Sequence, residues 1–205
     1  MSAALQRLRT RASGLGGGAL FLASTTVGNA GNYLGNLLFG RWLGPAEFAD
    51  LSLIITLVLV VTFVVTTLQL TAARFAATCV ADADATRLRA LRDWLLRRAW
   101  VGGGAVALLL ALGAPLWARI FHTASAWPFA IIGLAMPVYF AQSVDRGILQ
   151  GQLRFVRLSL SFQAEMVVRL GLGLLFVALG WSVGGATAGL ALAFVATWLV
   201  ARGAA

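Results

Sequence analysis

The 205-residue chain has one cysteine, one histidine and no lysine, and only 11% of its residues are charged. A single thiol, Cys79, excludes an internal disulfide, and with His122 as the one imidazole there is no Cys/His set for a transition metal. The glycine run "GLGGG" at 14–18 lacks the lysine and the Ser/Thr of a phosphate-binding loop. No metal or cofactor is expected. The scarcity of charge also excludes a soluble domain, because 60% of the residues are hydrophobic and a fold of this length cannot hide so much apolar surface. Mean hydropathy is +0.88, as in a polytopic membrane protein.

Uncharged runs at 12–40, 51–73, 99–118, 120–144 and 170–201 each reach the roughly 20 residues needed to cross a hydrocarbon core. The last is too long for one span, and "LGWSVGG" at 179–185 divides it with a tight interfacial turn. The expected fold is all-α, a single transmembrane domain over 1–205 with six helices near 15–40, 46–73, 95–118, 127–150, 158–179 and 185–201. Period-two alternation is absent, which excludes a barrel. The first apolar run is too long for a cleaved signal and is interrupted by asparagines, so a retained first helix is expected.

All sixteen basic residues are arginine. Thirteen of them (Arg7, Arg9, Arg11, Arg74, Arg87, Arg89, Arg92, Arg97, Arg98, Arg146, Arg154, Arg157 and Arg202) fall on one side of these spans. Arg41 and Arg119 fall on the other, and Arg169 lies within a span. The positive-inside rule then places both termini in the cytoplasm. The net charge of +9 is spread over juxtamembrane loops without RNA-type aromatic interleaving, so anionic membrane lipid, not nucleic acid, is the expected partner of these charges. The segment 81–100 places Leu88, Leu91, Trp94 and Leu95 on one helical face and arginines largely on the other, which predicts a membrane-surface helix capped by Asp82 or Asp84. Gly44-Pro45 predicts a short turn between the first two spans.

Several spans carry polar edges. In "VGNAGNYLGN" at 27–36, Asn29, Asn32 and Asn36 fall within about 60° of one another on a helix, beside a stripe of Gly28, Gly31 and Gly35 that admits a neighbouring helix. An amide turned to lipid costs several kcal/mol, so these side chains face either a neighbouring helix or an aqueous cavity. Thr62, Thr66 and Gln69 recur along the second span and lead to Arg74; the threonines have a local outlet in their own helix backbone. In the fourth span Pro137 is a point for a kink, followed by Gln142, Asp145 and Arg146. Glu165 and Arg169 stand at i,i+4 in the fifth span. They form either a self-neutralising pair or a functional one, with Arg169 presenting charge to an anion and Glu165 tuning it or carrying a coupling proton.

"NYLGNLLFGRWLGPAEFADLSLIITL" at 32–57 resembles the first-helix, turn and second-helix signature of the O-antigen type polysaccharide flippases in the multidrug/oligosaccharidyl-lipid/polysaccharide exporter superfamily. "RGILQGQLRFVRLSLSFQAEMVVRLGLGLLFVALG" at 146–180 is similar to the same family's passage from fourth to fifth helix. The resemblance implies one six-helix lobe of a two-lobe transporter that carries polyprenyl-pyrophosphate-linked oligosaccharide across a prokaryotic cytoplasmic membrane. It implies Arg146 and Arg169, and less directly Arg74, as head-group ligands, with Asn29, Asn32, Asn36, Gln69 and Gln142 on sugar hydroxyls and Glu165 in ion coupling. Guanidinium suits phosphate because it pairs bidentately and keeps its charge in a partly dry cavity.

Six helices are about half the family's usual number. The expected remedies are a homodimer, a separate second six-helix lobe, or a chain that is a truncated half. The competing function is a non-transporting scaffold or accessory protein of an envelope-polysaccharide assembly. An integral-membrane enzyme is not expected, since Asp82, Asp84 and Asp93 share their surface with arginines and no histidine.

Overall fold

The computed structural model describes the backbone of residues 2–203 and the side chains of residues 22–203. Arg7, Arg9, Arg11 and the glycine run at 14–18 lie outside the described side chains. Among the described residues every regular element is helical: α1 (Ser2–Ala81), α2 (Ala85–Leu112), α3 (Ala114–Phe121), α4 (Trp127–Gly151), α5 (Phe155–Ala178) and α6 (Ser182–Arg202). Among the described residues five helices are long and apolar enough to cross a membrane, α1 counted from Leu22.

α1 is broken at one residue. Gly44 has φ 75° and ψ 172°, a region essentially closed to any residue with a Cβ, and Pro45 follows it into the second arm. The two arms, 2–43 and 45–81, fold back on one another, with Phe39 and Leu43 of the first packed among Phe48, Leu51 and Ile55 of the second. The expected turn is thus a reversal at a single glycine.

α2 differs from expectation. The surface helix over 81–100 and the span from 95 are one continuous helix of 28 residues, capped by the Asp84 carboxylate, which accepts the Arg87 backbone N–H at 2.8 Å. Nothing between Ala85 and Val101 interrupts it: that stretch holds no glycine or proline, and Leu91, Leu95 and Ala99 keep one packed face across the junction. At 1.5 Å per residue the helix is about 42 Å long, so its arginine-rich first turns overreach a core of roughly 30 Å. The third span also ends sooner than expected, at Gly113, after which Pro115 opens the short α3. The boundary between α5 and α6 falls within the expected turn, where Gly180 (φ 87°) and Ser182 (φ 53°) reverse the chain.

α4 is the central strut, buried without a break from Tyr139 to Leu149 and at Phe129, Ile132 and Met136 before it, and packed against α1, α2 and α6. Its neighbours come close at glycines. Gly147 and Gly151 lie against the backbone carbonyls of Gln69 and Ala73 and the methyls of Ala72 and Ala76 in the second arm. Gly31 and Gly35 receive the side chains of Met166 and Leu170 from α5, as their spacing predicts for a neighbouring helix. Gly173 of α5 and Gly189 of α6 cross backbone to backbone: a Cβ on Gly189 would lie 2.5 Å from Gly173 Cα.

Adjacent glycines of α2 give a test. A Cβ on Gly103 would lie 2.6 Å from Pro137 Cα and 2.9 Å from Met136 O, whereas one on Gly104 meets open space. Gly103→Ala is expected to destabilise by about 1–3 kcal/mol through overpacking. Gly104→Ala is expected to be neutral or stabilising by up to about 1 kcal/mol through helix propensity. Thermal melts of the two variants in one mild detergent compare them directly.

Candidate functional site

Two adjoining cavities, of about 300 and 310 Å³, share Asn32, Glu165 and Arg169 in their walls; the former is enclosed by both arms of α1 with α4, α5 and α6, the latter by the first arm and α5. The polar edge of the first arm supplies one side: Asn36 belongs to the former cavity, Asn29 to the latter, and Asn32 to both. Asn29 and Asn36 are exposed and Asn32 is half-buried. The asparagine stripe therefore faces the cavities, and one of its members also holds a neighbouring helix.

That member is Asn32, whose Oδ1 accepts a hydrogen bond from Arg169 Nη2 on α5. Arg169 is half-buried and borders both cavities, so its guanidinium is oriented by an amide and not neutralised by one. Thr62 and Tyr139 complete the polar wall of the first cavity, their hydroxyls 2.7 Å apart. Thr62 also donates to Val58 O in its own helix, the local outlet expected of a threonine there. Tyr139 carried no signal in the sequence, where it sits between Val138 and Phe140 in an apolar run.

The i,i+4 pairing of Glu165 with Arg169 is corrected. Glu165 Oε2 lies 2.7 Å from Nη2 of Arg146 on α4, while Arg169 turns to Asn32. The reason is competition: Arg146 is buried and must be compensated, whereas Arg169 borders open space and is served by an amide. Arg146 is fully engaged, with Nε donating to Ser161 Oγ and Nη2 to Ser161 O, both at 3.1 Å, and its Cζ 3.9 Å from the centre of the Phe162 ring. It acts as an anchor between α4 and α5 and is absent from the cavity walls.

Three further candidates are not brought to these cavities. Gln69 donates to Gln150 Oε1 at 3.1 Å, joining the second arm to α4. Gln142 is 1% exposed, and its amide has no hydrogen-bond partner among the described residues. Arg74 is exposed toward the opposite end of the second arm from Gly44. Asp145, beside Arg146, is bound instead to Arg92 of α2 at 2.7 Å.

With Arg146 and Glu165 cancelling, Arg169 leaves the site one net positive charge. Amides and hydroxyls surround that charge, with apolar walls from Phe39, Ile55 and Phe194. Such a site suits an anionic group attached to a polar body. The described residues hold no cluster of three or more His, Cys, Asp or Glu that could bind a metal ion.

No protein-family profile and no curated protein matches this sequence. Solved structures do. The chain is similar to a multidrug resistance MATE family transporter of the MOP superfamily in an outward-facing conformation, with TM-score 0.77 and 19% identity, covering 90% of this chain and 43% of that one. It is similar also to a MATE structure in a bent conformation, with TM-score 0.74 and 18% identity, covering 91% of this chain and 44% of that one. The chain thus spans less than half the length of these transporters. Its fold is an all-α, multi-pass membrane bundle corresponding to one of their lobes.

The buried pair makes a prediction. Glu165→Ala strands the Arg146 guanidinium and is expected to cost about 3–5 kcal/mol, whereas replacing both groups with apolar residues (Arg146→Met with Glu165→Leu) recovers most of that loss. A double-mutant cycle on melting in detergent reads the coupling; additive effects would exclude it.

Proposed function

We propose that this chain is one lobe of a flippase-like membrane transporter that moves polyprenyl-pyrophosphate-linked oligosaccharide across the cytoplasmic membrane for surface polysaccharide synthesis. The observation that carries this reading is Arg169, a half-buried cation held by Asn32 at the junction of two cavities. Its guanidinium takes the pyrophosphate, and Asn29, Asn32 and Asn36 serve sugar hydroxyls. The two sequence blocks at 32–57 and 146–180 support the substrate class, and the likeness to lobes of MATE transporters supports transport by a two-lobe assembly.

Arg146 keeps Glu165 and α5 in position. Glu165 borders both cavities, so proton uptake there would release Arg146 and loosen α5 from α4; this is the coupling step of the proposal. The arginine-rich ends and both termini face the cytoplasm. The opposing wall of the cavity comes from a second copy or from a separate six-helix lobe.

In the assembled complex, reconstituted in liposomes with lipid-linked oligosaccharide, Arg169→Ala is expected to lower flipping by about 10- to 100-fold, the worth of one charged hydrogen bond of roughly 1.5–3 kcal/mol. Arg169→Lys retains the charge without the planar fork and falls between Ala and wild type. Unchanged flipping in Arg169→Ala would remove the head-group role, leaving the scaffold function as the surviving alternative.

A further inference from the structure

We infer that the end of the bundle opposite the arginine-rich connections holds a second site, which binds an organic ammonium group. There a cavity of about 390 Å³ lies between the start of the second arm of α1, the segment joining α3 to α4, and the turn into α6. Its volume is within the range of small-ligand pockets, roughly 300–1,000 Å³. Two of the chain's seven acids, Glu47 and Asp50, line it, and no arginine or histidine does, in a protein of net charge +9. Arg41, Arg119 and His122 belong to the same end of the molecule but are not part of the lining.

The aromatic residues set the ligand class. Trp127 and Trp181 are 73% and 60% exposed and flank the cavity from two different turns. Trp181 is stacked on Phe176, with centroids 5.0 Å apart and planes inclined by 14°, which fixes its ring at the cavity wall. Asp50 is held by the Ala124 backbone N–H at 3.1 Å, tying the second arm to the α3–α4 segment. An interfacial belt accounts for tryptophans at a helix end, but it needs no carboxylates lining the same cavity.

Indole rings and carboxylates lining one cavity are the chemistry that recognises an ammonium carrying hydrocarbon substituents. A bare metal ion asks instead for a cage of oxygens, and much of this lining is apolar, including Ile54, Phe129 and Val183. The same ammonium chemistry reaches such a turn from two sources: the amine head group of a membrane lipid, or a free organic cation. This site is separate from the Arg169 cavities and does not depend on the transport reading.

The test uses the full chain in nanodiscs of phosphatidylglycerol, which carries no amine, with radiolabelled tetraethylammonium as the probe and empty discs as the blank. Saturable binding of one cation per chain is expected. Glu47→Gln and Trp181→Ala are each expected to weaken it by about tenfold or more, and Trp181→Phe to keep most of it. Arg169→Ala is expected to leave it unchanged. If phosphatidylethanolamine in the disc displaces the probe, the natural occupant is a lipid head group; if it does not, the occupant is a free cation. Four results would overturn the proposal: no saturable binding, binding indifferent to Glu47→Gln and Trp181→Ala alike, binding lost in Arg169→Ala, or displacement by an equal concentration of sodium. None of these reads flipping, so failure here leaves the role of Arg169 standing.

Discussion

A guanidinium taken out of water needs an opposite charge and several acceptors, and Arg146 finds all of them on α5: the Glu165 carboxylate and the hydroxyl and carbonyl of Ser161. That anchor organises the rest of the site. It spends Glu165 on Arg146, so Arg169 is left to an amide and keeps its charge toward the cavity. It also joins α5 to α4, the strut on which α1, α2 and α6 pack, and so fixes where the cavity wall stands relative to the core. The desolvation cost of both ions is the reason that neither is free to serve as a ligand in this state.

Much of the architecture was legible because membranes make sequences explicit. Composition announced the bundle, Gly44-Pro45 and the glycine-rich stretch around Trp181 marked two reversals, and the register of Asn29, Asn32 and Asn36 marked the cavity edge. What failed were inferences confined to one helix. Glu165 and Arg169 have the spacing of an ion pair, but spacing within α5 carries no knowledge of Arg146, nineteen positions earlier in sequence and 2.7 Å away in space. Gln69 is spent on Gln150 across the joint between the second arm and α4, and Gln142 is buried inside the bundle, which no periodicity of one helix reveals.

Gly147 and Gly151 illustrate the same limit from the other side. They have the small-xxx-small spacing and let α4 touch the carbonyls of the second arm, but they sit inside the charged block "DRGILQGQLR", which reads as a helix end. The α2 boundary was missed because arginines suggested a surface helix. The continuous helical propensity from Ala85 onward carried the chain through in one piece, with the charged turns projecting past the apolar layer.

The glycine contacts also distribute stiffness. α5 and α6 cross with backbone against backbone at Gly173 and Gly189, a joint that cannot slide without collision. The first arm meets α5 through softer material, the thioether of Met166 and the isobutyl group of Leu170 lying over Gly31 and Gly35. Side chains of this kind yield by changing rotamer where a backbone cannot. Asn32 rides on the compliant member and Arg169 on the stiff one. The hydrogen bond between them therefore spans the more yielding of the two joints, and the hydration of a single guanidinium depends on how closely that joint is packed.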